Sequence, residues 1–221
     1  KNTVLLFVVV LLSCGNRSQK TDETPIIVGA NQLELYLPLL QGKNISVVAN
    51  QTSVIFKNNS YLKPQKSSQI SQTHLVDSLL TLGVDIKKVF APEHGYRGIA
   101  DAGEYVKDGV DIKTGLPIVS LYGINRKPNP EVLKDIDVVI FDVQDVGARF
   151  YTFTSTLHYM MEACADLGIT ILVLDRPNPN GHYIDGPILN LEHQSFVGMH
   201  PVPIVHGMTV GEYAQMINGE G

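Results

Sequence analysis

Short apolar segments rich in β-branched residues alternate along this chain with segments of helical periodicity. The apolar segments fall at residues 45–49, 88–90, 118–121, 138–141 and 169–174. Strands and helices that alternate in this way form βαβ units, and successive units build a parallel sheet covered by helices. The pattern therefore predicts an α/β fold with a Rossmann-like, mostly parallel sheet flanked by helices.

Helical patterns lie between the predicted strands. Apolar side chains recur at helical spacing over residues 154–167, and Gly168 is the expected end of that helix. Further helices are predicted over residues 71–82 and near residues 130–134. A capping box that begins at Thr209 predicts the start of one more helix.

The composition limits the class of protein. The 221 residues are 44% hydrophobic and 18% charged, and the formal net charge of -5 offers no basic surface for nucleic acid. The dinucleotide motif G-x-G-x-x-G does not follow the first predicted strand, and the P-loop, the G-x-S-x-G elbow and the zinc motif H-E-x-x-H are missing. We therefore expect neither a nucleotide cofactor nor a zinc ion.

The N-terminal residues resemble an export signal. An apolar run, Val4 to Leu12, follows Lys1 and is far shorter than the roughly 20 residues that span a membrane. The run ends in LLSCG, which resembles the lipobox of bacterial lipoproteins. Residues 1–13 are thus predicted to be a signal peptide, with a lipid on Cys14 and a polar tether over residues 14–25. A plain signal peptide is the alternative, and either one predicts export to the bacterial cell envelope, with a lipoprotein facing the periplasm or the cell surface.

Polar side chains follow the predicted strands at their carboxyl ends, where open α/β sheets bind their ligands. These residues are Asn50, Gln51, Thr52, Glu93, His94, Tyr122, Asp142, Gln144, Asp145, Arg149, Tyr151, Asp175, Arg176, Asn178 and Asn180. Any one of them could be a helix cap or a turn former. The set as a whole predicts a binding or catalytic site at one edge of the sheet.

The residue types in this set favour a carbohydrate ligand. Carboxylates and amides bind sugar hydroxyls, and the rings of Tyr96, Phe150 and Tyr151 can lie against the face of a sugar. Glycoside hydrolysis needs a protonated carboxylic acid beside the leaving oxygen, and Glu93 follows an apolar strand that could keep its pKa near about 6. Asp142, Asp145 and Asp175 could instead hold Mg²⁺ or Ca²⁺ if their side chains meet.

The same loops carry an ordered series of motifs. The segments NQTS, FAPEHGYRG, SLYG, FDVQDVGARFYT, LDRPNPNG, DGP, SFVG and HGMTVGE occur in this order between Gly29 and Gly221. Together they resemble the NamZ-type exo-β-N-acetylmuramidases, peptidoglycan glycoside hydrolases long catalogued as a bacterial domain of unknown function. The resemblance implies that residues 26–221 form a Rossmann-like catalytic N-terminal domain. It also implies that a smaller C-terminal domain, which would form the other wall of the active-site cleft, is missing here.

The resemblance further implies an activity and residues that carry it. Members of the family release N-acetylmuramic acid from the non-reducing ends of peptide-free peptidoglycan fragments during cell-wall recycling. The glutamate of their P-E-H-G motif is regarded as the catalytic acid/base, and it falls on Glu93. The other motif residues fall on Asp142, Gln144, Asp145, Arg149, Asp175, Arg176, Asn178 and His206, and we expect these, with Asn50, His94 and Tyr151, to bind or support the substrate.

The working hypothesis assigns the chemistry to carboxyl groups. Glu93 protonates the glycosidic oxygen, and Asp142 or Asp145 acts as nucleophile or base or positions the acetamido group of the substrate. Arg149 or Arg176 pairs with the lactyl carboxylate of N-acetylmuramic acid. Two alternatives remain: a non-catalytic lipoprotein that binds muropeptides or sugars, and a metal-dependent hydrolase built on the three aspartates.

Overall fold

The structure, a computed structural model, describes residues 26–57, 71–98, 100–101 and 103–220. The predicted signal peptide, the lipidation site Cys14 and the tether lie outside the described residues. Within these ranges, no helix combines the length and the apolar character needed to cross a membrane.

The described residues alternate between strands and helices along the chain. The strands are β1 (Ile45–Ala49), β2 (Val54–Phe56), β3 (Gln72–His74), β4 (Ile86–Ala91), β5 (Gly109–Val110), β6 (Pro117–Ser120), β7 (Val138–Asp142) and β8 (Thr170–Val173). The α-helices are α1 (Leu33–Leu40), α2 (Leu75–Thr81), α3 (Pro130–Leu133), α4 (Phe153–Leu167) and α5 (Val210–Glu220). The five predicted strands are present with bounds that differ by at most two residues, and β1 agrees at both ends.

Six strands form the main sheet in the order β5-β6-β4-β1-β7-β8, while β2 and β3 form a separate pair. Neighbouring strands of the main sheet run parallel, except that β5 is antiparallel to β6. From the central β1 the chain builds first toward β4 and β6, and then on the other side toward β7 and β8. This order confirms the predicted Rossmann-like sheet and places its switch point between the carboxyl ends of β1 and β7.

Apolar layers cover both faces of the sheet. Successive residues of β1 point to opposite faces, so Val47 packs in the layer of α1 and α2, and Val48 packs in the layer of α4 and α5. All residues of β1 and β7 are buried. This double coverage explains why these strands are continuous apolar runs in the sequence rather than alternating ones.

One predicted helix begins later than expected. The sequence predicts a helix over residues 71–82, but Gln72–His74 form β3, which pairs with β2. Helix α2 starts at Leu75, where the imidazole Nδ1 of His74 accepts the backbone N–H of Val76 at 3.3 Å. The prediction was wrong over its first four residues because an apolar repeat shows which face of a helix is buried, not where the helix starts.

Two predicted helix ends are confirmed by their hydrogen bonds and backbone angles. Gly168 ends α4 with a left-handed φ of 68°. The backbone N–H of Thr209 donates to Oε2 of Glu212 at 2.8 Å, and the N–H of Glu212 donates to Oγ1 of Thr209 at 3.1 Å. These reciprocal bonds are the capping box predicted for the start of α5.

The packing of α4 predicts the cost of truncating its side chains. Leu157 is fully buried in the layer between α4 and the sheet, whereas Leu167 of the same helix is 42% exposed. We expect Leu157→Ala to lower the free energy of unfolding by about 2–5 kcal/mol, and Leu167→Ala by less than about 1 kcal/mol. Urea unfolding of both variants measures the difference, and equal losses would contradict the assigned buried face.

Candidate active site

The carboxyl ends of the parallel strands bring their loops together at one edge of the sheet. Asn50 follows β1, Asp142 ends β7, and Glu93 and Asp175 each lie two residues beyond the ends of β4 and β8. Because these strands run in the same direction, the four residues lie along the same edge. The hydroxyl of Ser53 donates to the backbone carbonyl of Asp142, so the loops after β1 and β7 are in direct contact.

Asp142 and Arg176 form a buried ion pair beneath this edge. Nε and Nη2 of Arg176 lie 2.7 and 2.9 Å from the two carboxylate oxygens of Asp142, and the side chains are 2% and 0% exposed. The same Nη2 donates to the carbonyl of Val54 at 2.9 Å. The expected roles of Asp142 as nucleophile or base, and of Arg176 as partner of a substrate carboxylate, do not fit this geometry, because each group is buried against the other.

The carboxylate of Glu93 is held by three donors and is still partly exposed. Oγ1 of Thr152 donates to Oε2 at 2.7 Å, and the backbone N–H of Gly103 donates to Oε1 at 3.1 Å. The hydroxyl of Tyr122 donates a further hydrogen bond. The donors come from three different loops, so the tertiary fold fixes the orientation of this carboxylate while leaving Glu93 only half-buried.

These donors decide the acidity of Glu93. Burial raises the pKa of the carboxyl group, but the hydrogen bonds from Thr152, Gly103 and Tyr122 and the charge of His94 favour the ionised form. Together they hold the pKa below the ordinary value of glutamate. The expectation of a pKa near about 6 is therefore wrong for the free protein, because the sequence shows the apolar strand before the glutamate but not the donors from distant loops.

The pKa expected at Glu93 is found instead at Asp145. The side chain of Asp145 is 3% exposed, and burial raises its pKa to about 6, although the backbone N–H groups of Val146 and Gly147 favour the charged form. The N–H of Gly147 donates to Oδ2 at 2.7 Å, while Oδ1 has no hydrogen-bond partner among the described residues. Asp145 is thus a carboxyl group of this edge that retains its proton up to about pH 6.

His206 packs against Asp145 inside the protein. Its Nε2 lies 3.7 Å from Oδ2 of Asp145, which is too far for a hydrogen bond, and the ring is fully buried. The backbone N–H of Met208 donates to Nδ1 at 3.3 Å, so a neutral ring carries its proton on Nε2, toward Asp145. Burial lowers the pKa of His206, and the imidazole is therefore neutral at pH 7.

Asp175 and Asn178 connect the loop after β8 to the start of α5. Asp175 accepts hydrogen bonds from Oγ1 of Thr209 at 2.7 Å and from the N–H of Gly211 at 2.8 Å. Nδ2 of Asn178 donates to the carbonyl of Met208 at 2.8 Å. Asp175 is therefore a helix cap, and both side chains border an open pocket of about 620 Å³.

Asn50 and Gln144 are held by bonds between neighbouring loops. Oδ1 of Asn50 accepts the N–H of Thr52 at 2.8 Å, which fixes the turn after β1. Nε2 of Gln144 donates to the carbonyls of Asp145 and Pro177, at 2.7 and 2.9 Å. These bonds place both side chains at the predicted edge and give each of them a structural role there.

Arg149 is engaged within the protein as well. Its Nη1 donates to the backbone carbonyls of Pro187 and Val202, at 3.1 and 2.5 Å, and the residue is 7% exposed. The guanidinium carbon lies 5.6 Å from the ring centroid of Phe150. This position does not fit the expected pairing of Arg149 with a substrate carboxylate.

Exposed aromatic side chains belong to the chain segment whose Thr152 binds Glu93. Tyr151 and Phe150 are 52% and 54% exposed, and they directly precede Thr152, the residue that binds the carboxylate. His94 adopts a left-handed φ of 70° and is partly buried. Exposed aromatic rings of this kind are suited to contact the apolar face of a sugar. Tyr96, expected to do the same, is 3% exposed and therefore cannot.

The three aspartates of this edge do not form a metal site. Asp142 is paired with Arg176, and Asp175 caps α5. In the part of the chain that the structure describes, no group of three or more His, Cys, Asp or Glu residues is arranged to hold a metal ion. The hypothesis that Asp142, Asp145 and Asp175 bind a metal is therefore wrong.

Of the residues that bind Glu93, Tyr122 belongs to the predicted edge, whereas Thr152 is absent from the predicted set. Tyr122 lies two residues after β6, at the strand end from which the sequence predicts it to reach the site. Thr152 immediately precedes α4, where a threonine is an ordinary helix-start residue. Nothing local in the sequence indicates its contact with Glu93, 59 residues away.

The chain is similar over most of its length to proteins of one family. The family model described as "Exo-beta-N-acetylmuramidase NamZ, N-terminal" matches residues 45–221. A relative from Bacillus subtilis (strain 168), named "Peptidoglycan beta-N-acetylmuramidase NamZ", is 47% identical over 188 residues. These residues make up 84% of this chain and 42% of the relative.

Two crystal structures of DUF1343 family proteins from Bacteroides fragilis NCTC 9343 share the fold. One is 43% identical, with a TM-score of 0.70 over 88% of this chain and 47% of the other. The second is 38% identical, with a TM-score of 0.75 over 89% of this chain and 46% of the other. The chain thus spans less than half the length of each of these relatives.

The raised pKa of Asp145 predicts a pH dependence of stability. Folding raises the pKa of this carboxyl group to about 6, so the folded protein holds the proton more tightly than the unfolded chain does. The resulting contribution to the free energy of unfolding is complete below about pH 4 and is lost as the pH rises through 6. We therefore expect the stability of the wild type relative to Asp145→Asn to fall by up to about 3 kcal/mol between about pH 4 and pH 6.5, and to stay constant above.

Urea unfolding at a series of pH values measures this difference. The exposed Asp135→Asn is the control, because its carboxyl group is accessible to solvent and asparagine tolerates the left-handed φ of 63° at this position. If the free energies of unfolding of the wild type and of Asp145→Asn differed by the same amount at every pH, this result would contradict the buried, proton-retaining environment of Asp145.

Proposed function

Since the chain belongs to the family of the exo-β-N-acetylmuramidase NamZ, we propose that the intact protein is an exo-acting β-N-acetylmuramidase. Its substrates are peptidoglycan-derived fragments, from whose non-reducing ends it releases N-acetylmuramic acid. The name of the Bacillus subtilis relative supports the reaction type, a glycoside hydrolysis at a β-N-acetylmuramic acid residue.

The observation that carries this proposal is the environment of Glu93. Its carboxylate is oriented by Thr152, Gly103 and Tyr122, yet Glu93 remains half-exposed at the edge of the sheet where ligands of this fold bind. The carboxylates of Asp142 and Asp175 are instead engaged in bonds within the fold. Glu93 therefore combines the two properties that a catalytic acid needs, a fixed position and access to the substrate.

In the proposed reaction, Glu93 gives its proton to the glycosidic oxygen as the bond from C1 to that oxygen breaks. The oxygen of a water molecule then bonds to C1, and the proton that this water loses is taken up by a carboxylate of the site, that of Glu93 or Asp145. The pKa of Glu93 is low in the free protein, so the acid form must be favoured by substrate binding. A sugar that covers the exposed side of the carboxyl group displaces water and raises its pKa, as burial already does for Asp145.

Asp145 is the proposed second carboxyl group. It lies in the loop that also carries Thr152, and its pKa of about 6 lets it accept or release a proton near neutral pH. It serves as base or nucleophile, or it positions the acetamido group of the substrate for attack. A separation of about 5–5.5 Å between the reacting carboxyl groups favours retention, and about 6.5–9.5 Å favours inversion.

The proposed place of action is the bacterial cell envelope. Peptidoglycan lies outside the cytoplasmic membrane, so an enzyme that acts on its fragments there must be exported. The predicted signal peptide and the lipid anchor at Cys14, outside the described residues, agree with a lipoprotein that faces the periplasm or the cell surface. Nothing in the charge of the chain suggests a nucleic-acid partner.

Replacement of Glu93 by glutamine tests the assignment of the acid. Glu93→Gln keeps the size of the side chain and removes the proton donor, so we expect turnover to fall by about 10²- to 10⁴-fold while substrate affinity stays within about threefold. The assay is release of N-acetylmuramic acid from an aryl β-glycoside by the intact protein. Glu131→Gln, on an exposed position of α3, removes the same charge and is expected to keep wild-type turnover.

The same assay distinguishes a glycosidase from a non-catalytic sugar-binding protein. Unchanged turnover in Glu93→Gln would refute the role of this residue. Saturable binding of the sugar by the wild type without any product would instead identify a non-catalytic sugar-binding protein.

A further inference from the structure

Three of the four arginines in the described ranges have acceptors within the protein. Arg97 and Arg176 pair with aspartates, and Arg149 donates to backbone carbonyls. The fourth, Arg126, forms no hydrogen bond or ion pair with another described residue, and its side chain is exposed. Arg126 is therefore the arginine whose N–H groups are accessible to a ligand.

An aromatic ring holds the guanidinium of Arg126 in place. Its central carbon lies 4.4 Å from the ring centroid of Phe196, a distance typical of a cation–π contact. Phe196 is 7% exposed and stacks on Tyr159, with ring centroids 6.0 Å apart and planes inclined by 10°. A guanidinium that lies on a fixed ring keeps the N–H groups at its edge free to bind an anion.

The same aromatic cluster places Arg126 near Glu93. The ring of Tyr122, whose hydroxyl donates to Glu93, lies 6.4 Å from that of Phe196. Burial raises the pKa of the Tyr122 hydroxyl, as does Glu93, whereas the charge of Arg126 lowers it. A catalytic carboxylate and an accessible guanidinium are thus both neighbours of Tyr122.

We infer that Arg126 binds the lactyl carboxylate of the terminal N-acetylmuramic acid residue and so selects this sugar over N-acetylglucosamine. The inference rests on the function proposed above. The lactyl group is attached at C3 of the sugar and the scissile oxygen at C1, so a ring whose C1 faces Glu93 directs its carboxylate to a neighbouring part of the site. A guanidinium binds a carboxylate through two parallel hydrogen bonds, and it has no such partner on N-acetylglucosamine. Arg126 takes the role expected for Arg149 or Arg176.

The same contact determines how a peptide stem affects binding. A stem is joined to the sugar through the lactyl group, so its attachment converts the carboxylate to an amide and removes the charge. An arginine at this position therefore gives a physical reason for the peptide-free substrates that the family resemblance implies.

Three aryl β-glycosides test the inference in the intact protein: those of N-acetylmuramic acid, of its lactyl amide and of N-acetylglucosamine. We expect kcat/KM of the wild type to be about 10- to 100-fold higher for the acid than for the amide. In Arg126→Gln this ratio should fall to about 1, through a higher KM for the acid with kcat nearly unchanged, because the contact exists before and during the reaction. Arg126→Lys should restore part of the ratio.

The control is Lys43→Gln, which removes a positive charge at the opposite edge of the sheet and should keep the wild-type ratio. If Arg126→Gln retains the preference for the acid, the inference is overturned while the role of Glu93 stands. A wild type that cleaves acid and amide equally well overturns it too. A wild type that cleaves none of the three glycosides overturns the proposed function, and the inference with it.

Discussion

The buried ion pair between Asp142 and Arg176 fixes the loops that carry the candidate site. It joins the last residue of β7 to the loop after β8, and Arg176 also reaches the carbonyl of Val54, just beyond the turn that follows β1. A charge inside a protein is tolerated when it is paired, and breaking such a pair leaves an uncompensated charge at high cost. The edge that presents Glu93 therefore depends on an interaction between groups that are inaccessible to substrate.

This scaffold gives two carboxyl groups opposite environments. Glu93 is partly exposed and accepts hydrogen bonds from three donors, which lower its pKa, whereas Asp145 is buried with one oxygen unpaired, which raises its pKa. Carboxyl groups whose acidities are pushed apart are typical of acid–base sites. In the free protein, the accessible carboxyl group of Glu93 is thus the more acidic of these two groups. The proposed role of Glu93 as the acid thus requires the bound sugar to raise the pKa of its carboxyl group.

The sequence predicts those features that local patterns determine. Continuous apolar runs indicate β1 and β7, because strands that are buried on both faces carry apolar residues at every position. Gly168 indicates the end of α4, because the left-handed backbone there favours glycine. The strand ends and the ordered motifs located the edge of the site. The pairing of Asp142 with Arg176, 34 residues apart, and of Glu93 with Thr152, 59 residues apart, could not be predicted, because tertiary packing alone brings these side chains together. For the same reason the sequence misplaced the raised pKa.

The pH dependence of kcat/KM in Thr152→Val tests most directly whether Glu93 is the reacting carboxyl group. This quantity reports the ionisation of the free enzyme, and the hydroxyl of Thr152 stabilises the charged form of Glu93. As the proposed acid, Glu93 must carry its proton, so kcat/KM should fall as the pH rises through the pKa of Glu93. We expect this fall to occur at higher pH in Thr152→Val, because the variant lacks the hydroxyl that lowers that pKa. The fall should not move in Thr156→Val, where the hydroxyl donates to a backbone carbonyl instead. If kcat/KM of Thr152→Val fell at the same pH as that of the wild type, this result would contradict the central role of Glu93.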